Sequence, residues 1–267
     1  MSADAAKVSV VIPCFNHGEF LPEAVASVTS IPRNDVELIV VDDGSTDERT
    51  RKEMDALAAR GVHVIRQENK GLPAARNIGI RASTAPYILP LDADDRLRPA
   101  YVEHGIRILD ANPKVGVVYG DLQFFGTMNH RRTVGPLDSL RLMQQNYINP
   151  CAVFRRAVWQ QNQGYDETMT DGFEDWEFWI GAVEHGWQFA YVPEILFDYR
   201  KAEDSMYIRA CKVEDKIAQF IVAKHSAFYR QVFLQLAFEH DSGKATFRNL
   251  RRIIKTRIKQ KLRMNGA

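Results

Sequence analysis

Glycine-rich phosphate loops are missing from this sequence. Neither G-x-G-x-x-G nor G-x-x-x-x-G-K-[ST] follows a strand-like run, so neither a dinucleotide-binding fingerprint nor a P-loop is supported. Cysteine is scarce. Cys14, Cys151 and Cys211 are widely spaced with no C-x-x-C pair, which argues against a disulfide framework or a cysteine zinc site and makes a reducing cytosol the default. The seven histidines share no ligand spacing such as H-E-x-x-H, so a histidine metal centre is not expected. No apolar run reaches the roughly 18 residues of a membrane span. The short run near the N-terminus is interrupted at Asn16, too early for a signal peptide. The expected location is therefore the cytoplasm, free or peripheral on the inner face of the membrane.

Charge is balanced in total but not in distribution. The net is +1, yet residues 244–263 carry nine Lys or Arg and no acid. Setting those nine aside from the 35 basic residues leaves 26 against 34 acids, a body of net −8. Within the tail, Phe247, Leu250, Ile254, Ile258 and Leu262 recur at roughly helical spacing. Such a segment either docks on the acidic body or lies on an anionic membrane surface. A nucleic-acid partner is not expected, because no recognition motif accompanies the charge. At 267 residues one large domain, or one domain with an appendage, is expected.

What is present is an alternation of apolar strands and helices. Strand-like runs at 8–13, 36–41, 62–65, around Tyr87 and at 115–122 are separated by helical patterns at 20–30, 48–60, 72–82 and 99–111. That order predicts βαβ units, an α/β fold with a mainly parallel central sheet, and continuous apolar strands covered on both faces. Beyond it lie a polar excursion at 123–136 and a mixed segment at 138–148 with helical character. A helix starts in the stretch 172–180 and runs to about 185, then comes a strand region at 188–199 broken at Pro193. Residues 207–238 have helical tendency, and a basic helix at 245–264 completes a C-terminal helical extension.

In such sheets ligands bind outside the carboxyl ends of the strands. Here three strand ends carry Pro13-Cys14-Phe15-Asn16, Asp42-Asp43-Gly44-Ser45 and Asp92-Ala93-Asp94-Asp95. Three carboxylates within four residues repel one another unless a cation or hydrogen-bond donors hold them. Their spacing suits a hard divalent metal, while Asp94 or Asp95 as a helix cap is the plain alternative. A second acidic pair, Glu174-Asp175, opens a helix among Phe173, Trp176, Phe178 and Trp179. Simple capping would explain acids there; an apolar collar would also raise a carboxylate toward the range of a general base.

Taken together, these stretches resemble the family-2 glycosyltransferases. The resemblance rests on Val10-Val11-Ile12-Pro13-Cys14-Phe15-Asn16, Val41-Asp42-Asp43-Gly44-Ser45-Thr46-Asp47, and Asn69-Lys70-Gly71 with Ala74-Ala75-Arg76-Asn77-Ile78-Gly79. It continues through Leu91-Asp92-Ala93-Asp94-Asp95 and Glu174-Asp175-Trp176, in that order, over residues 7–205. What it implies is a GT-A nucleotide-sugar-binding fold and an inverting transfer, from a nucleoside diphosphate sugar (a UDP-sugar favoured) to a saccharide or lipid-linked saccharide hydroxyl. Surface polysaccharide or glycolipid synthesis is the implied setting. It further implies a domain at 1–205, with a nucleotide-binding half at 1–112 and an acceptor-binding half at 113–205, then an extension at 206–267.

The resemblance also assigns residues. Pro13, Phe15, Asn16, Asp43, Lys70, Arg76, Asn77 and Asp92 fall on the nucleotide side. Asp92, Asp94 and Asp95 match the family's metal site for Mn2+ or Mg2+, and Asp175 matches its catalytic base. Glu174 and Trp176 fall toward the acceptor. The chain departs from the family where many members read Tyr-Arg-x-His, having Tyr199-Arg200-Lys201-Ala202 instead. Arg200 and Lys201 are then candidates for the diphosphate, and Glu203 or Asp204 for a metal oxygen. Two other readings make different demands. A nucleotidyltransferase needs a Gly-rich basic loop after the first strand, which Phe15-Asn16-His17-Gly18 does not supply. A non-catalytic scaffold predicts a broken acid set, yet every acid is present.

Overall fold

In a computed structural model, described over residues 5–202 and 206–239, β1 (Val8–Cys14), β2 (Val36–Asp43), β3 (His63–Gln67) and β4 (Tyr87–Pro90) alternate with α1 (Leu21–Thr29), α2 (Glu48–Ala59) and α3 (Leu72–Ala82). These four strands are all parallel, in the order β3-β2-β1-β4. Every residue of β1 is buried, as a strand flanked on both edges and covered on both faces must be. α3 lies close on this sheet at Gly79, where an added Cβ would stand 2.4 Å from Val11 Cγ1.

The second half is mixed. It comprises β5 (Arg96–Leu97), α4 (Pro99–Ala111), β6 (Val115–Gly126), β7 (Arg131–Arg132), α5 (Ser139–Leu142), β8 (Val153–Arg155), α6 (Arg156–Gln161), α7 (Glu174–Glu184) and β9 (Gln188–Lys201). Antiparallel β8 joins β4 to β6, β6 pairs with β9 in parallel, and β5 closes the edge. The full order is β3-β2-β1-β4-β8-β6-β9-β5, with β7 beside β6.

Several sequence expectations change here. Pro193 does not break the last strand. Pairing steps from Gly120↔Val192 to Asp121↔Ile195, so Pro193 and Glu194 bulge out of a continuous β9. A bulge tolerates a residue without an N–H. The polar excursion after 122 instead prolongs β6 to Gly126 and returns as β7, where Arg131 pairs with buried Asp121. Helix within 138–148 is confined to the four residues of α5. β8 and α6 are too short to show a period; Arg156 fastens the start of α6 by donating to the carbonyls of Ile80, Ser83 and Ala85.

The chain divides into two compact units, Met1–Gln219 and Phe220–Ala267. The helical stretch expected from 207 is three helices: α8 (Met206–Cys211), α9 (Glu214–Lys224) and α10 (Ser226–Glu239). α8 belongs to the first unit, where Ala210 Cβ would lie 3.0 Å from a Cβ placed on Gly172. No helix among the described residues is long and apolar enough to cross a membrane. Glu203, Asp204 and the basic tail lie outside the described residues.

Candidate active site

Parallel pairing sets the strand ends level, with Cys14 opposite Asp42. The loops beyond them are stitched by side chains. Asn16 (φ +56°) accepts at Oδ1 from the N–H groups of Thr46 (2.8 Å) and Asp47 (3.2 Å), and donates to Thr46 Oγ1. The Asp43 carboxylate accepts from Gln67 Nε2 (2.6 Å) and from the backbone N–H groups of Lys70 and Gly71 (both 2.9 Å). These two residues therefore shape the rim. Pro13 is buried in β1, whereas Phe15 is 42% exposed and Lys70 is exposed.

The third strand end gathers the acids. Asp95 is buried and accepts from the Arg200 N–H at 2.8 Å, while Asp92 and Asp94 are half-buried. Burial pushes the Asp94 and Asp95 carboxyls up, and their acidic neighbours push in the same direction. Arg200 donates from Nε to the Asp94 carbonyl (2.9 Å), pairs with Glu23, and lies over the rings of Phe20 and Phe125. Its guanidinium thus braces the acidic turn. Lys201 sits by the rings of Phe124 and Tyr199, and burial with nearby Arg132 lowers its pKa.

Arg76 links this cluster to α7. Its side chain is 1% exposed; Nη2 donates to Asp92 Oδ1 at 2.7 Å and Nη1 to Glu174 Oε1. Burial works against the charge, but Asp92 and Glu174 outweigh it and hold its pKa above the ordinary value. Glu174 and Asp175 are both buried in the first turn of α7, entered through Phe173 at φ +60°. Burial, then Glu174, raises the Asp175 carboxyl to about 7; Asn146, Arg76 and the Trp176 N–H act in the opposite direction. Asn146 Nδ2 donates to both Asp175 oxygens at 3.0 Å.

Other expected site residues are placed differently. Asn77 is buried and engaged on every side, accepting from Trp159 Nε1 and Tyr165 N and donating to the Tyr165 carbonyl and Glu167. It joins α3 to the loop at 162–173. Trp176 is 1% exposed and donates its indole N–H to the Leu142 carbonyl at 2.6 Å. Glu174 is closed into the Arg76 pair. These three are interior braces rather than exposed contact surfaces. Two neighbours had no sequence signal: Asn146, in an aperiodic loop, and Tyr165, whose ring lies 5.6 Å from the Arg76 guanidinium.

Among the described residues no group of three His, Cys, Asp or Glu is arranged to hold a metal ion. The donor set still fits a hard cation of the kind that uses one or two carboxylates and completes its shell with phosphate and water oxygens. Asp92 and Asp94 are the half-buried pair that fits.

The model of Glycosyl transferase family 2 matches residues 9–165, and the chain belongs to that family. It is 36% identical over 118 residues to glycosyltransferase GlyG of Streptococcus pneumoniae, covering 42% of this chain and 39% of GlyG. The chain thus spans well under half the length of that relative. TarS 1–349 of S. aureus, solved with UDP-GlcNAc, superposes with a TM-score of 0.67 at 17% identity, over 90% of this chain and 69% of TarS. The mannosyltransferase PcManGT of Pyrobaculum calidifontis, solved with GDP-Man and Mn2+, gives 0.57 at 18% identity, over 78% and 63%. The fold is GT-A, and the family activity is sugar transfer.

Proposed function

We propose that this chain is an inverting glycosyltransferase using a nucleoside diphosphate sugar, with Asp175 as general base. The donor lies over the ends of β1, β2 and β4, beside Phe15, Lys70 and the Asp92–Asp95 turn. A UDP-sugar is favoured, in keeping with the UDP-GlcNAc bound by TarS. The acceptor is a saccharide or lipid-linked saccharide, as in polysaccharide or glycolipid synthesis. Asp175 takes the proton of its hydroxyl while that oxygen attacks the anomeric carbon. The bond from that carbon to the diphosphate breaks, its electron pair leaves with the nucleoside diphosphate, and the configuration inverts. Asp92 and Asp94 would hold Mn2+ or Mg2+, which supplies positive charge against the departing diphosphate. Arg76 is ion-paired with Glu174, whose neighbouring charge adds to burial in raising the Asp175 carboxyl. In this reading Glu174 and Trp176 position the base rather than touch the sugar.

The observation that carries the reading is the Asp92–Arg76–Glu174 bridge through a buried Arg76, which ties the strand-end acids to the helix turn bearing a carboxyl raised to about 7. A general base operates best near the working pH. Asp175→Asn tests the assignment. Transfer should fall by roughly 10²–10⁴ while nucleotide binding is unchanged. Equal loss of both would contradict it.

A further inference from the structure

We propose that Asn146 is a positioning residue for Asp175, fixing the orientation of the carboxylate and favouring its ionised form. This rests on the reading of Asp175 as the base. Several other asparagines in this fold bond the backbone. Asn77 bonds the Tyr165 main chain, Asn162 the Phe178 carbonyl, and Asn112 the Lys114 N–H. Asn146 does not. Its Nδ2 donates to both oxygens of Asp175 at 3.0 Å, and its own Oδ1 is buried with no hydrogen-bond partner. An orphaned buried carbonyl works against folding. A side chain with one end unpartnered and the other on a carboxylate is placed for that carboxylate.

The geometry accounts for direction as well as contact. One amide nitrogen spanning both oxygens sets the plane of the carboxylate, and the Trp176 N–H pins Oδ1 at 2.9 Å. Donors to the charged form lower a carboxyl's pKa, so Asn146 offsets part of what burial imposes. Among the described residues, the charged and titratable groups around Asp175 are Glu174 on the same helix, Arg76 from α3, Tyr165 from the loop before α7 and Tyr199 from β9. Among the described residues, Asn146 is the side chain that bonds Asp175 without bringing a charge, so its removal loses two hydrogen bonds and no ion pair. Its segment is moored independently, by the Trp176–Leu142 bond and by Arg132, which donates to the Tyr147 carbonyl. Replacing Asn146 therefore leaves the turn docked.

The test is a ¹³C NMR titration of the aspartate carboxyls in the full chain, with the Asp175 signal identified by its loss in Asp175→Asn. In Asn146→Ala the Asp175 midpoint should rise by about one unit, cutting the ionised fraction at pH 7 about fivefold. Asn146→Ser, which keeps a donor, should show a smaller rise and serves if the alanine variant does not fold. A midpoint unmoved or lowered in a folded variant overturns the proposal. Because the titration needs neither donor nor acceptor, it can fail while Asp175→Asn still abolishes transfer, and the reverse; the two claims are separable.

Discussion

Arg76 Nη2 lies 2.7 Å from Asp92 Oδ1, joining the end of β4 to a guanidinium that is almost wholly buried and whose other arm holds Glu174. Removing one partner of a buried charge set leaves the others uncompensated in a low dielectric. Arg76→Met is therefore expected to lower stability by about 3–5 kcal/mol, read by chemical denaturation. Arg76→Lys should recover only part of this, since a single ammonium cannot reproduce the planar fork that spans two carboxylates. A melt unchanged in Arg76→Met would contradict the bridge.

A second prediction concerns the loop that delivers α7. Gly164 has φ +91°, and a Cβ there would sit 2.8 Å from Asn77 Oδ1. Gly164→Ala should destabilise by about 1–3 kcal/mol, combining backbone strain with displacement of the Asn77 amide. Since Asn77 itself holds this loop, Asn77→Ala combined with Gly164→Ala should cost less than the two single changes added. Denaturation of the four proteins of the cycle checks it; strict additivity would show that the contact is unimportant.

The parallel half of the fold was readable in the sequence because its strands are continuous apolar runs and its helices have a clear period. β1, β2, β3 and α3 fall within two or three residues of where the pattern puts them. Acids at strand ends were equally legible, since three carboxylates in four residues need an explanation. Roles were harder. Asn77, Glu174 and Trp176 stand in motif positions, yet their buried contacts come from a loop and a helix far away in sequence. Asn146 lies in a segment without periodicity, and only folding brings it to Asp175. Pro193 misled because a bulge, unlike a break, leaves no mark in composition.

The pH dependence follows from Asp175. In the proposed role of general base its carboxyl, raised by burial and by Glu174 to about 7, works only when ionised. Transfer should therefore rise with pH through 7, and below it fall by about tenfold per unit as the proton is retained. An ordinary exposed aspartate would keep activity nearly flat down to about pH 5. A pH profile of kcat/KM with a limb near 7 agrees with the account; a flat profile from 5 to 8 does not.

The most direct measurement is calorimetric titration of the folded chain with UDP, GDP, CDP and dTDP, each with and without manganese, and again on Asp94→Asn. The account predicts that one nucleotide binds in a metal-dependent way, that Asp94→Asn removes the metal dependence, and that Asp175→Asn leaves binding intact. Failure of all four nucleotides to bind a folded sample would contradict a nucleotide-sugar site at these strand ends and return the chain to the scaffold reading.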